Sequence, residues 1–379
     1  MTRITSVEAT TAMVPLATPT AFATRQVTQR EYTLVRVRGD DGIHGIGFCY
    51  AGGNNGYLST RAVLDLLAPV IIGEDAHRTE GLWQDMYQES LLQGRAGSVM
   101  RALSAIDVAL WDRNAKAAEL PLWKYLGAWS HGTVPAYASG GYYLHGKEPA
   151  DLAVELEGYV DLGFTAVKMK VGRLDPAGEE ARVAAAREAI GPDTLLMLDA
   201  NNAWSDVPTA LQTLRRFEPY DPYWIEEPFS PDDIVNHARL AAATSITVAT
   251  GEIEAGRWRH RELMGSGGAT ILQTDAAVCG GITEFRRIAA LADGHGLTLC
   301  PHWFHDLHAP LVAATPNARY VEFFPDAEVL NFRRLVDRQL EVGAGGELIL
   351  HSGPGLGFDF EPNILATLGA EWKLRGIGA

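Results

Sequence analysis

Asp199, Glu226, Glu252, Asp275 and His302 follow one another at intervals of 27, 26, 23 and 27 residues, by subtraction of their positions. That interval is about the length of one strand–helix unit. The first three close short apolar runs, in LLMLDA, YWIEEP and VATGE. A polar group at the end of each successive β-like segment points to parallel strands joined by helices. In all, short β-like segments end near Lys170, Asp199, Glu226, Gly251, Thr274, Pro301 and Glu322. Helical candidates such as AGEEARVAAAREAIG, SDVPTALQTLRRFE, PDDIVNHARLAAA and GITEFRRIAALADGHG stand between them. Repetition through about 200 residues predicts a barrel rather than a small open sheet. The polar residues then share one mouth.

Upstream the rhythm differs. TLVRVRGDDGIHGIGFCY offers two β-rich runs around Gly39-Asp40-Asp41-Gly42, a strong hairpin signal. TRAVLDLLAPVII, TEGLWQDMYQESLLQ and SVMRALSAIDVALWDRNAKAA then read as helices. The expected fold is therefore α/β: a modified TIM barrel of the (β/α)7β kind with an α+β capping domain. Residues 1–130 form the N-terminal capping domain and 131–332 the catalytic barrel. Residues 333–379, centred on GGELILHSGPGLGFDF, pack back on the capping domain. The glycines and asparagines of FCYAGGNNGYLS predict a mobile polar cover over the mouth.

Composition narrows the partners. A formal charge of −15, with no basic stripe or glycine-rich phosphate loop, argues against nucleic acid and anionic membranes. Cys49, Cys279 and Cys300 are too few and too irregular for a disulfide framework, so buried free thiols are expected. The opening MTRITSVEATTAM lacks a secretory pattern, and no apolar run approaches the roughly 20 residues of a membrane span. The expected location is the cytoplasm.

Three carboxylates meeting at one mouth repel one another unless a hard cation neutralises them. An all-oxygen set suits Mg²⁺, with Asp199, Glu226 and Glu252 as ligands. Glu227 rivals Glu226, because neighbouring strand residues point to opposite sides and spacing does not choose between them. Lys168 and Lys170, in TAVKMKVG, share a strand face. Mutual repulsion and a nearby cation are expected to lower their proton affinities, so that one acts as a base and the other pairs with a substrate carboxylate. His302 supplies a second candidate base, with Asp275 orienting its ring. Glu322, in ARYVEFFPD, either donates a hydrogen bond to the substrate carboxylate, given a raised proton affinity, or stands as an ionised rim acid. Asn201, His305 and His308 are weaker candidates for substrate contact, with loop packing as the alternative for the two histidines. His295, in ADGHGL, reads as a helix-to-strand connector.

The ordered set KMK, DAN, IEEP, GE, QTD, PHW and VEF, together with SAIDVALWD around Asp107 and Trp111, strongly resembles the enolase superfamily, specifically its mandelate racemase subgroup. The resemblance spans nearly the whole chain, including PGLGFDF. It implies Mg²⁺ on Asp199, Glu226 and Glu252, and so chooses Glu226. It also implies Lys170 as one general base and His302, assisted by Asp275, as the opposite one. Lys168 becomes the electrostatic partner of the substrate carboxylate, with Glu322 the hydrogen-bonding acid opposite it. Symmetric homo-oligomers are common in such a family.

The shared first step is removal of the proton next to a carboxylate. The substrate expected here is a small carboxylate, a sugar acid, and the expected overall reaction is dehydration to a 2-keto-3-deoxy acid. CPHWFHDLHAP looks like the corresponding region of acid-sugar dehydratases, including those acting on aldaric acids such as galactarate. Racemisation or epimerisation of a 2-hydroxy acid and cycloisomerisation of a lactone or anhydro sugar acid are the alternatives. A noncatalytic scaffold predicts a missing ligand or base, and none is missing.

Overall fold

The computed structural model describes residues 1–327 and 329–377. Two long strands, β1 (Ile4–Phe22) and β2 (Arg25–Gly39), form an antiparallel hairpin, and β3 (His44–Tyr50) pairs with β2. The turn between β2 and β3 is the one the glycines predict: Gly42 has φ +81°, and its amide bonds back to Gly39 O. Alternation gives this sheet two buried faces. Val7, Ala9, Val35 and Val37 pack beneath the helices α1 (Thr79–Ser90) and α2 (Gly97–Ala117). Ala12, Tyr32, Leu34 and Phe48 belong to a second core shared with Phe304, Phe332, Phe358 and Phe360.

Eight parallel strands follow. They are β4 (Ala136–Ser139), β5 (Ala166–Lys170), β6 (Leu195–Asp199) and β7 (Pro222–Glu226), then β8 (Thr247–Thr250), β9 (Ile271–Leu272), β10 (Thr298–Leu299) and β11 (Val321–Phe323). Each of β4 to β10 is followed by at least one helix, and the strands lie in sequence order with β11 returning beside β4. The ends of the sheet are joined at β10. Leu299 N donates to Asn317 O at 3.0 Å, and Arg319 N donates to Leu299 O at 2.9 Å. The fold is a modified (β/α) barrel with a cap. Apolar β5, β6 and β7 are buried along nearly their whole length, as parallel strands with both faces covered must be.

Cap and barrel are joined through polar contacts as well as through the shared core. Asp107, on α2, accepts from Thr283 N at 2.9 Å and from Thr283 Oγ1 at 2.6 Å. Trp111 Nε1 donates to the same hydroxyl at 2.8 Å. After the barrel, Leu348–Ile349 pairs with Thr133–Val134, and β12 (Lys373–Gly376) pairs with β1. Phe358 and Phe360 flank Phe48, and Asp359 meets His44 Nε2 at 2.7 Å. All three cysteines are free and buried. No helix among the described residues is long and apolar enough to cross a membrane.

Candidate active site

Lys168, Lys170, Asp199, Glu226, Glu252, Asp275, His302 and Glu322 come together at the C-terminal ends of the barrel strands. Lys168 and Lys170 lie on β5, where alternation turns both inward, and both are buried. Lys168 Nζ reaches Glu226 Oε1 and Oε2 at 2.7 and 2.9 Å and Glu322 Oε1 at 2.7 Å. Lys170 Nζ lies 2.5 Å from Asp199 Oδ2. Asn201 holds the same carboxylate, its amide donating to Asp199 Oδ1 at 2.9 Å.

The charge pattern differs from the sequence expectation for the lysines. Burial pulls both ammonium groups down, yet Glu226 and Glu322 around Lys168, and Asp199 beside Lys170, outweigh it and hold both above the ordinary lysine value. Two lysines among this many carboxylates behave as their counterions rather than as a repelling pair. For Glu322 the same surroundings favour the ionised alternative. Burial raises its proton affinity, but Lys168 overcomes this and holds the carboxyl at about 2.

Acids outnumber the lysines here, and the balance shows on the remaining carboxyls. Burial and the neighbouring Asp199 push Glu226 up to about 7 and Glu227 up to about 8. Burial, Glu227 and Glu226 push Glu252 well above its usual range, and Glu252 Oε2 has no hydrogen-bond partner. Glu227 faces the open pocket, whereas Glu226 turns toward Lys168. With lysines on Asp199 and Glu226, no three acid, histidine or cysteine side chains among the described residues are gathered closely enough to hold a metal as they stand. The donor chemistry still fits a hard dication: all oxygen, buried, in charge excess, with one carboxylate oxygen unpartnered.

His302 stands across the pocket on the loop after β10. Its Nδ1 lies 3.1 Å from Asp275 Oδ2 and its Nε2 3.4 Å from Glu252 Oε1. Burial opposes ionisation of Asp275, but its contacts with His302 and His308 hold it far below the usual carboxylate range. His305 and His308 are not at the mouth. Both are buried in the helix His305–Ala313 and neither lines the pocket, which corrects the expectation of hydroxyl contacts. The apolar composition of that helix packs it inward and takes the histidines with it. His308 Nε2 accepts from Ala276 N at 3.0 Å and lies 3.4 Å from Asp275 Oδ1, behind the dyad.

The cover of the pocket comes from elsewhere than FCYAGGNNGYLS. Tyr50 lines the pocket, but the following glycines and asparagines bind β2 instead. Gln29 Nε2 donates to Gly53 O at 2.7 Å, and Gly56 N donates to Glu31 Oε2 at 2.5 Å. The tip of the β1–β2 hairpin takes the covering position. Phe22 and Arg25 line the pocket, and Thr24 Oγ1 donates to Asn201 O at 3.2 Å. Arg30, Arg101, Tyr142, Asn202 and Trp303 complete a lining that strand-end spacing cannot find, because most of these residues belong to the cap or to loops. Backbone strain also collects here. Asn201, Asn202, Glu227 and Trp303 all have positive φ, from +41° to +73°, although none is glycine.

The comparisons with known proteins agree with this architecture. The family model described as Mandelate racemase / muconate lactonizing enzyme, N-terminal domain, matches residues 4–127, and that described as Enolase C-terminal domain-like matches residues 151–364. The 3,6-anhydro-alpha-L-galactonate cycloisomerase of Streptomyces coelicolor is 37% identical over 292 residues, covering 77% of this chain and 80% of the relative. The L-talarate/galactarate dehydratase of Salmonella typhimurium is 36% identical over 368 residues, covering 94% of this chain and 88% of the relative. A crystal structure of L-talarate dehydratase from Polaromonas sp. JS666, complexed with Mg and L-glucarate, superposes with a TM-score of 0.90 at 34% identity. That match covers 99% of this chain and 100% of the other. Two family models, together spanning most of the chain, and relatives matched along nearly their full length place the protein: it belongs to the enolase superfamily, in the mandelate racemase subgroup.

Proposed function

We propose that the protein is a Mg²⁺-dependent dehydratase of a sugar acid. The observation that carries this reading is the placement of two base-type side chains, Lys170 on β5 and His302 on the loop after β10, around a single pocket that buried acids also line. Asp199, Glu226 and Glu252 hold the cation. When bound, Mg²⁺ supplies positive charge to the substrate carboxylate as the α-proton leaves, and takes up the carboxylate charge that now holds the lysines protonated. Lys170 and His302 remove the α-proton from one face or the other. Asp275 keeps the His302 ring oriented through Nδ1. The imidazolium of His302 then protonates the departing β-hydroxyl, and the resulting enol becomes a 2-keto-3-deoxy acid. Lys168 faces the substrate carboxylate, anchored by Glu322, and Asn201 fixes Asp199. Dehydratases of talarate and galactarate among the relatives support this reaction.

A second reading, cycloisomerisation of an anhydro sugar acid or lactone, is favoured by the 37% identity to the Streptomyces coelicolor cycloisomerase. Turnover of an acid-sugar panel with Mg²⁺ in D₂O separates the two. Dehydration gives Mg²⁺-dependent 2-keto acid. Cycloisomerisation expels the ring oxygen instead of water, so 2-keto acid formed from an anhydro sugar acid or lactone as an isomer of its substrate, with none from open-chain acids, replaces dehydration, and α-inversion alone makes the protein an epimerase.

A further inference from the structure

Arg30 presents a charge that the proposed chemistry does not use. It lies on β2 and is only 2% exposed, yet it has no acidic partner among the described residues. Nε and Nη2 have no hydrogen-bond partner at all, and Nη1 reaches only the Tyr50 hydroxyl, at 3.4 Å. The guanidinium lies over the rings of Trp303 and Tyr50, with Cζ 4.4 and 5.5 Å from their centroids. Those rings are themselves stacked, 5.7 Å apart. Trp303 holds its ring there from a backbone at φ +73°, a conformation costly for a bulky residue. Aromatic faces position a guanidinium but do not neutralise it. A buried cation with unpartnered donors and no counter-charge, on a residue that lines the pocket, is suited to an anion.

The anion has to come from the substrate, because the same pocket holds Lys170 and His302. His302 stacks on Trp303 at 5.6 Å, and Trp303 lies under Arg30, so imidazole and guanidinium flank one indole. A six-carbon chain spans roughly 6 Å between its end carbons, from five bonds of ~1.5 Å each in a zigzag. Arg30 lines the same pocket as Lys170, so the far end of such a molecule, with its reacting carboxylate among the lysines, is the group available to it. The other pocket arginines are less free. Arg101 Nη1 is engaged by Tyr50 O at 3.0 Å, and the guanidinium of Arg25 lies over Phe22 at the hairpin tip.

We propose that Arg30 binds the second carboxylate of a dicarboxylic sugar acid, and so makes the pocket selective for diacids over sugar acids ending in an alcohol. The inference rests on the reading that this pocket takes a sugar acid, and it names the class. The test is calorimetric binding of glucarate, gluconate and 6-phosphogluconate to the Mg²⁺-loaded full chain, wild type and Arg30→Gln, with circular dichroism as the check on folding. Glucarate should bind wild type at least tenfold more tightly than gluconate. Arg30→Gln should weaken glucarate about 100-fold while moving gluconate less than about threefold. Arg30→Lys should recover part of the loss. Equal losses for both acids, no loss for glucarate, tightest binding of the phosphate, or no binding of glucarate by wild type would each overturn the proposal. Turnover of the same acids judges the enzymatic reading separately: glucarate bound through Arg30 but neither exchanged nor dehydrated keeps the diacid site and removes glucarate dehydration.

Discussion

Asp275 Oδ2 lies 3.1 Å from His302 Nδ1, which leaves Nε2 as the nitrogen turned toward the acids and the pocket. A carboxylate at that position fixes both the ring plane and the tautomer. Asp275→Asn keeps the shape but offers an amide in place of the acceptor. We expect α-deuterium exchange on the face served by His302 to fall about 10²–10⁴-fold. Exchange on the face served by Lys170 should change by less than tenfold. Proton NMR of each α-position in D₂O reads both. Equal losses on the two faces would remove the dyad from its assigned role.

Glu226 and Glu227 are neighbours with different surroundings. Glu226 sits against Lys168, while Glu227, at φ +42°, faces the pocket. If Glu226 is the ligand, Glu226→Gln weakens Mg²⁺ binding more than about 100-fold by calorimetry, and Glu227→Gln, a charge outside the coordination sphere, weakens it by less than that. The reverse order would move the metal to Glu227.

Much of this was legible in the sequence because parallel strands impose a spacing. The acids from Asp199 to Asp275, and His302, are each the outcome of one strand–helix unit, and the pair Lys168 and Lys170 follows from period-two alternation. Charge balance was not legible. The lysines are raised because acids from three other strands crowd round β5, and Glu322 is lowered because Lys168 stands against it, and no local pattern counts these contacts. The cap was misread for a related reason. AGGNNG has the composition of a mobile loop, yet Gln29 and Glu31 of β2 bind its backbone. The hairpin tip at Phe22–Arg25 covers the mouth only because β1 and β2 extend that far. Arg30 carries no motif and becomes informative only once Trp303 lies beneath it.

Gly47, like Gly45, marks a close approach of cap strand and helix. A Cβ there would stand 1.9 Å from Ala105 O on α2, and backbone cannot swing aside. Gly47→Ala should cost about 1–3 kcal/mol or more. Gly158, in the helix Pro149–Asp161, has nothing within 4 Å of its Cβ position. Gly158→Ala should stabilise by about 0.5–1 kcal/mol. Denaturant unfolding of both variants checks the pair, and equal effects would reject the packing argument.

Asp359 ties the chain after the barrel to the cap, 2.7 Å from His44 Nε2 and 3.5 Å from Arg36 Nη2. Burial raises its proton affinity, but the His44 contact and the Phe360 amide outweigh it and hold the carboxyl at about 2. An unfolded aspartate titrates near ~3.9. Between those values the unfolded chain carries the proton and the folded one does not, so stability rises with pH across that window. The contribution is fully present above the unfolded value and disappears as pH falls through about 2. Asp359→Asn should therefore unfold more easily than wild type at pH 6, and the gap should narrow steadily as the pH is lowered from 5 to 3. A gap that stays constant over that range would mean that the side chain acts through packing alone, and not through its charge on His44.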